Sequence, residues 1–196
     1  TYYIGNLYDS PRYWMRTIAY HEAVPGHHFQ IAIGNEQDVP LFLKGGEYFY
    51  TAFVEGWALY AEYLAMELGW YEDDIYSELG RLQWELLRAA RLVIDTGIHS
   101  LGWSFEEAVR FNEENVGWST RQSQGAAARY SIIPGQATAY MVGMLEIRRL
   151  AEKAQGELVQ DYATAGFHDA LLSHGSVPLA LLEDVVDMWV ESVKSQ

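Results

Sequence analysis

Pro25-Gly26 interrupts a run that otherwise reads as one helix from about residue 11 to 33, and it separates two groups of histidines. A proline inside a helix removes the hydrogen bond to the carbonyl four residues back, here that of His21, and its ring clashes there. Val24, before it, is biased away from the α region. The run must therefore kink or bulge between His21-Glu22 and His27-His28. A His-Glu pair with a second His one turn on is the zinc-hydrolase pattern, ligands at i and i+4 and the Glu as general base. Here the next histidines fall at i+6 and i+7. On a straight helix, at roughly 100° and 1.5 Å per residue, His27 lies about 120° around from His21, and His28 regains the face roughly 10 Å along the axis. Neither pair could share an ion whose bonds to nitrogen are about 2.0–2.1 Å. If about two residues loop out at Pro25, His27 takes the place that i+4 would occupy. A metal site thus depends on a kinked helix over 11–33.

The rest of the chain reads as helix after helix. Helices are expected over about 47–68, ended by Gly69, and over 72–96, ended at Thr96-Gly97. Ser104-Phe-Glu-Glu107 is a capping-box pattern opening a helix to about 115. Others follow over 118–131, 135–155 after Pro134-Gly135, 161–173 and 178–193. Strand alternation is missing, although 41–48 could pair briefly. The expectation is an all-α, single helical domain spanning 1–196. A hydrophobic content of 49% is ample for a core. The net charge of -14 argues against nucleic acid and anionic membrane as partners and mildly favours a neutral or basic substrate. With no cysteine, thiol chemistry and Cys-based zinc sites are excluded, and the compartment stays open. No run is long and apolar enough to span a membrane, and residues 1–30 do not form a signal peptide. The chain opens on Thr1, so it reads as part of a longer protein.

Zinc needs a third protein ligand. Phe53-Val-Glu-Gly-Trp-Ala-Leu-Tyr-Ala-Glu62 offers two carboxylates. Glu55 sits among apolar residues, where an unpaired carboxylate is costly, beside Gly56, which lets another helix approach. It is the better ligand; Glu62 orients a ligand or faces water.

These residues carry a resemblance. The run His21-Glu-Ala-Val-Pro-Gly-His-His-Phe-Gln30 resembles the bacterial family known as domain of unknown function 885. The resemblance continues through Val54-Glu-Gly-Trp-Ala-Leu-Tyr60, Arg91-Leu-Val-Ile-Asp-Thr-Gly-Ile-His99, Arg129-Tyr130, Pro134-Gly-Gln-Ala137 to Tyr140, Phe167-His-Asp-Ala-Leu-Leu172 and Gly175-Ser-Val-Pro-Leu179. Members look like distant relatives of helical, gluzincin-type zinc peptidases and are longer, with a large N-terminal helical region. The resemblance implies that this chain is the C-terminal, metal-bearing portion and packs against that region. It implies one Zn2+ on His21, His27 and Glu55, with Glu22 as catalytic base and His28 ranked below His27; iron or manganese is less favoured.

Three protein ligands leave a position open, the mark of a catalytic site. Glu22 would take a proton from water and return it to a leaving amine. An oxyanion needs a donor, for which Tyr130, Tyr140, His99 and His168 are candidates. Among 14 tyrosines any one is more often a packing residue, and the resemblance raises Tyr130 and Tyr140. Asp95 and His99, at i and i+4, either form a carboxylate–imidazole pair behind the site or an ordinary helix end. Arg129 and Gln136 are candidates for substrate polar groups. The leading expectation is a zinc-dependent metallohydrolase, a peptidase or other amide hydrolase. Two His and one carboxylate also describe non-haem iron oxidative enzymes, although those need no glutamate beside the first ligand. A non-catalytic helical binding domain is the third reading.

Overall fold

The computed structural model describes residues 11–44 and 50–195. All regular structure among them is helical: a 3-10 turn at Arg12–Trp14, then α1 (Met15–Glu22), α2 (His27–Glu36), α3 (Leu41–Lys44), α4 (Thr51–Glu67), α5 (Ile75–Ser100), α6 (Phe105–Val116), α7 (Thr120–Ile132), α8 (Gln136–Leu158), α9 (Thr164–Leu172) and α10 (Leu179–Lys194). The all-α expectation therefore holds. The brief strand at 41–48 does not form where it is described, because Leu41–Lys44 is a short helix, and 45–48 lie outside the described residues. No described helix is long and apolar enough to cross a membrane.

Two apolar cores meet along the long helices. The larger gathers Phe53, Trp57 and Leu59 of α4 with Met144, Ile147 and Leu150 of α8, Phe167 and Leu171 of α9, and Leu182 and Val186 of α10. The smaller joins Leu87 and Ile94 of α5 to Ala108 of α6, Ala127 and Tyr130 of α7, and Ala137 of α8. Helices α4 and α8 pack backbone to backbone. A Cβ on Gly56 would overlap the backbone of Gly143, and one on Gly143 would overlap the carbonyl of Ala52. That approach carries Glu55, one residue before Gly56, up to the start of α8.

Helix ends follow local chemistry. Ser104 forms its capping box with Glu107, and Ser119, which sequence reading passed over, forms a second with Gln122. Asp74 accepts from the amides of Tyr76 and Ser77 and so opens α5. The stop expected at Thr96-Gly97 is overturned: α5 runs on to Ser100. Gly97 is instead a packing glycine, where a Cβ would strike the Trp103 ring, and the left-handed residue after the helix is Gly102 (φ 74°). On the outer face of α5, Ile75, Leu79, Leu82 and Leu86 form an exposed apolar row.

Candidate metal centre

The expected kink is a complete break. Helix α1 ends at Glu22, Ala23 leaves the α region (φ -100°, ψ -108°), and α2 starts at His27. The Val24–Pro25 peptide is cis. The chain turns so tightly over the end of α1 that a Cβ on Gly26 would overlap the carbonyl oxygen of His21. The amide of Phe29 bonds the carbonyl of Ala23 (3.2 Å) and that of Gln30 bonds Gly26 (3.1 Å), so α2 takes over the loop's free acceptors. From α4, the Trp57 indole donates to the carbonyl of Pro25 at 2.9 Å. Residues 23–26 are thereby held on both sides.

This turn brings His27 beside His21, with ring centres 4.8 Å apart and planes nearly perpendicular at 88°. Glu55 closes the group: its Oε2 lies 3.3 Å from Nε2 of His27 and 3.7 Å from Nε2 of His21. One ligand atom from each of the three residues lies within 4.8 Å of the others, the one such group among the described residues. His28 is exposed and is not in it. Glu22, at the last turn of α1, is exposed beside buried His21.

Behind His21 lies a buried polar column. Nδ1 of His21 sits 2.7 Å from Oε1 of Glu62, whose Oε2 accepts from the Thr17 hydroxyl at 2.8 Å. Arg88, also buried, lies 3.5 Å from Glu62 and stacks its guanidinium 4.2 Å over the Trp84 ring. The carboxylate thus leaves Nε2 of His21 turned to Glu55. Burial opposes charge throughout. It disfavours the His21 imidazolium, but the bonds to Glu55 and Glu62 outweigh it and raise the pKa. For Glu55 the opposing burial is overcome by bonds from His21 and His27, which hold it far below the usual carboxylate range. Burial likewise resists ionising Glu62, and Arg88, His21 and Thr17 together lower its pKa.

Gln136, at the start of α8, joins the front of the site to Tyr140. Its Nε2 donates to Oε1 of Glu55 (3.3 Å) and to the Tyr140 hydroxyl (3.0 Å). The Tyr140 ring stacks on His21 at 6.3 Å, and burial raises its pKa. The remaining sequence candidates lie further out. Tyr130 is buried in the smaller core and accepts from Nε of Arg91 at 3.0 Å. His99 does not pair with Asp95: its Nε2 bonds the carbonyl of Tyr130 (2.9 Å), while Asp95 accepts the amide of Gly135 (3.2 Å). The carboxylate placed on an imidazole is Glu62. His168 bonds the Tyr60 hydroxyl (3.0 Å) and meets the edge of Trp57, and burial lowers its pKa to about 4, so it braces α4 as a neutral ring. Arg129 is exposed on α7. Sequence reading missed Thr17, Arg88 and Arg91. An arginine on the core side of α5 is the one trace that Arg88 left in the sequence.

In this all-helical domain two imidazoles and a carboxylate gathered around one point could hold a metal ion. A family model described as a bacterial protein of unknown function (DUF885) matches residues 1–186, and the chain belongs to that family. It is similar to a crystal structure described as "the putative lipoprotein from Colwellia psychrerythraea", with 43% identity, a TM-score of 0.89, and coverage of 93% of this chain and 31% of that one. It is also similar to a structure described as "a putative lipoprotein of unknown function from Shewanella oneidensis", with 25% identity, a TM-score of 0.78, and coverage of 94% and 32%. The chain thus spans about a third of the length of those proteins. No curated protein matches it.

Proposed function

We propose that this domain is the metal-bearing part of a gluzincin-like, zinc-dependent hydrolase of peptide or related amide bonds. The observation that carries the reading is the mutual approach of His21, His27 and Glu55 within 4.8 Å. The residues fit such an ion. Two donors bound about 2.1 Å from a tetrahedral zinc stand roughly 3.4 Å apart, and the carboxylate lies 3.3 and 3.7 Å from the two imidazole nitrogens. Glu62 on Nδ1 of His21 is the arrangement that fixes a ligand histidine's tautomer and orientation. The donor set of nitrogen and carboxylate oxygen suits zinc and leaves a position open.

When bound, the ion lowers the pKa of a coordinated water and polarises a substrate carbonyl. Glu22, exposed beside His21, accepts the proton of the attacking water and passes it to the departing amine. Tyr140, whose hydroxyl shares the Gln136 amide with Glu55, supplies the donor to the oxyanion. His21, Glu62 and Arg88 are buried, so the rear of the site excludes water. The partner region belongs to the same proposal: the row Ile75, Leu79, Leu82 and Leu86 is the face we assign to the part of the longer protein outside this span.

Metal analysis of full-length protein purified without added metal tests this first. The expected result is close to one zinc per chain. Iron together with oxygen consumption would favour an oxidative enzyme, and no metal would remove both readings. Glu22→Gln should keep the ion and abolish hydrolysis of a peptide library read by mass spectrometry. His27→Ala should lose the ion and His28→Ala should keep it.

A further inference from the structure

Two arginines of this acidic chain stand one helical turn apart on α5, and they are used differently. Arg88 is ion-paired to Glu62. Arg91 is half-buried, with its guanidinium carbon 4.7 Å from the centre of the Tyr140 ring and its Nε donating to Tyr130. No carboxylate among the described residues lies within ion-pairing reach of Arg91, and its two terminal nitrogens donate to none of them. Unlike Arg110, Arg121 and Arg129, which also lack an ion pair but are exposed, Arg91 is half-buried against Tyr140. A divalent ion and two arginines outnumber, by one charge, the carboxylates of Glu22, Glu55 and Glu62. The surplus sits on the planar fork best suited to a carboxylate.

We propose that Arg91 is a substrate-binding residue that anchors the C-terminal carboxylate of a peptide, which makes the enzyme a carboxypeptidase of short reach. The inference rests on the hydrolase reading above. Arg91 and His21 lie 4.7 and 6.3 Å from the same Tyr140 ring centre. They can be no further apart than the sum of those distances, which is about three residues of extended chain at roughly 3.3–3.6 Å each. A peptide held by its terminus at Arg91 therefore presents one of its last few amide bonds to the His21–His27–Glu55 cluster. Water adds its oxygen to the acyl carbon, the C–N bond breaks, and the leaving amine takes the proton carried by Glu22. The released fragment keeps the carboxylate that Arg91 binds.

The test separates binding from turnover. Zinc-loaded, full-length Glu22→Gln protein is titrated calorimetrically with N-acetyl-trialanine as free acid and as C-terminal amide. The acid should bind roughly 10- to 100-fold more tightly, the worth of one charge-assisted pair. Arg91→Gln in the same background should bring the acid down to the amide's affinity. Tyr130→Phe, which removes the neighbour and keeps the arginine, should preserve the preference; this guards against an Arg91→Gln protein that fails to fold. Equal affinity for acid and amide, or binding of neither, overturns the proposal. Active protein that cleaves both forms equally keeps the hydrolase reading and discards the anchor. Protein that prefers the acid but cleaves neither does the reverse.

Discussion

Glu62 is the residue on which the rear of the site turns, because it serves His21, Thr17 and Arg88 at once. Glu62→Ala leaves a buried guanidinium without its counter-charge, and such losses cost about 3–5 kcal/mol. Urea denaturation of metal-free protein should show that loss. Glu62→Gln, which keeps the shape, should mainly weaken zinc binding by roughly 10- to 100-fold, the usual effect of removing a ligand's outer partner. The pH response of the metal-free protein follows from the same residues. His21 has its pKa raised from 6.5, so its contribution is complete below that value and is lost as pH rises through the raised pKa. Glu55 and Glu62 have pKa values lowered from 4.5, so theirs is present above that value and lost on acidification through the lowered ones. Melting temperature should therefore be highest between about pH 4.5 and 6.5. Added zinc should move the optimum upward, because it binds neutral imidazole; a flat metal-free profile would contradict this account. At this scale the grouping of His21, His27 and Glu55 was legible from residue type and from the break that Pro25 announces between the two histidines. Arg88 and Arg91 were not, since nothing local in α5 reveals that one faces Glu62 and the other Tyr140.

Among the elements, the break between α1 and α2 and the α4–α8 contact set the geometry. Both depend on glycine for room. Gly26→Ala places a methyl on the His21 carbonyl, and Gly143→Ala places one on the Ala52 carbonyl. Forced overpacking of this kind typically costs about 1–3 kcal/mol. Each variant should therefore melt earlier. Each should also lose zinc stoichiometry, since the first displaces His27 from His21 and the second displaces Glu55 from both. Ala substitution at exposed Gly125 or Gly156, where a Cβ meets nothing, is the control that should do neither. Element boundaries were legible where one side chain decides them, as at Ser104. They failed at Gly97, whose reason for being glycine is the Trp103 ring packed against it, a contact made only after folding. Pro25 announced a bend, and its extent, a full change of helix, depends on the close approach at Gly26 and the Trp57 bond.

For the molecule as a whole, the helical class followed from periodicity and composition, and the chain covers about a third of the length of its solved relatives. The row Ile75, Leu79, Leu82 and Leu86 repeats at the 4-3-4 spacing of a helix-packing seam. Sedimentation should show the 196-residue chain self-associating with concentration, and Leu79→Glu/Leu86→Glu should abolish that; the full-length protein should stay unaffected by dilution. The four-residue gap at 23–26 has a mechanical consequence as well. In the one-helix pattern both histidines ride on a single rod, so an ion there stiffens little beyond it. Here His21, His27 and Glu55 lie on three separate rods, and an ion shared among them is a cross-link. Loading it to about 100 times Kd stabilises the joined arrangement by about 2.7 kcal/mol. The gain should be concentrated where α2 otherwise opens alone. Amide hydrogen exchange over His27–Glu36 should slow sharply on adding zinc, while the centre of α8, locked into the core with or without it, barely changes.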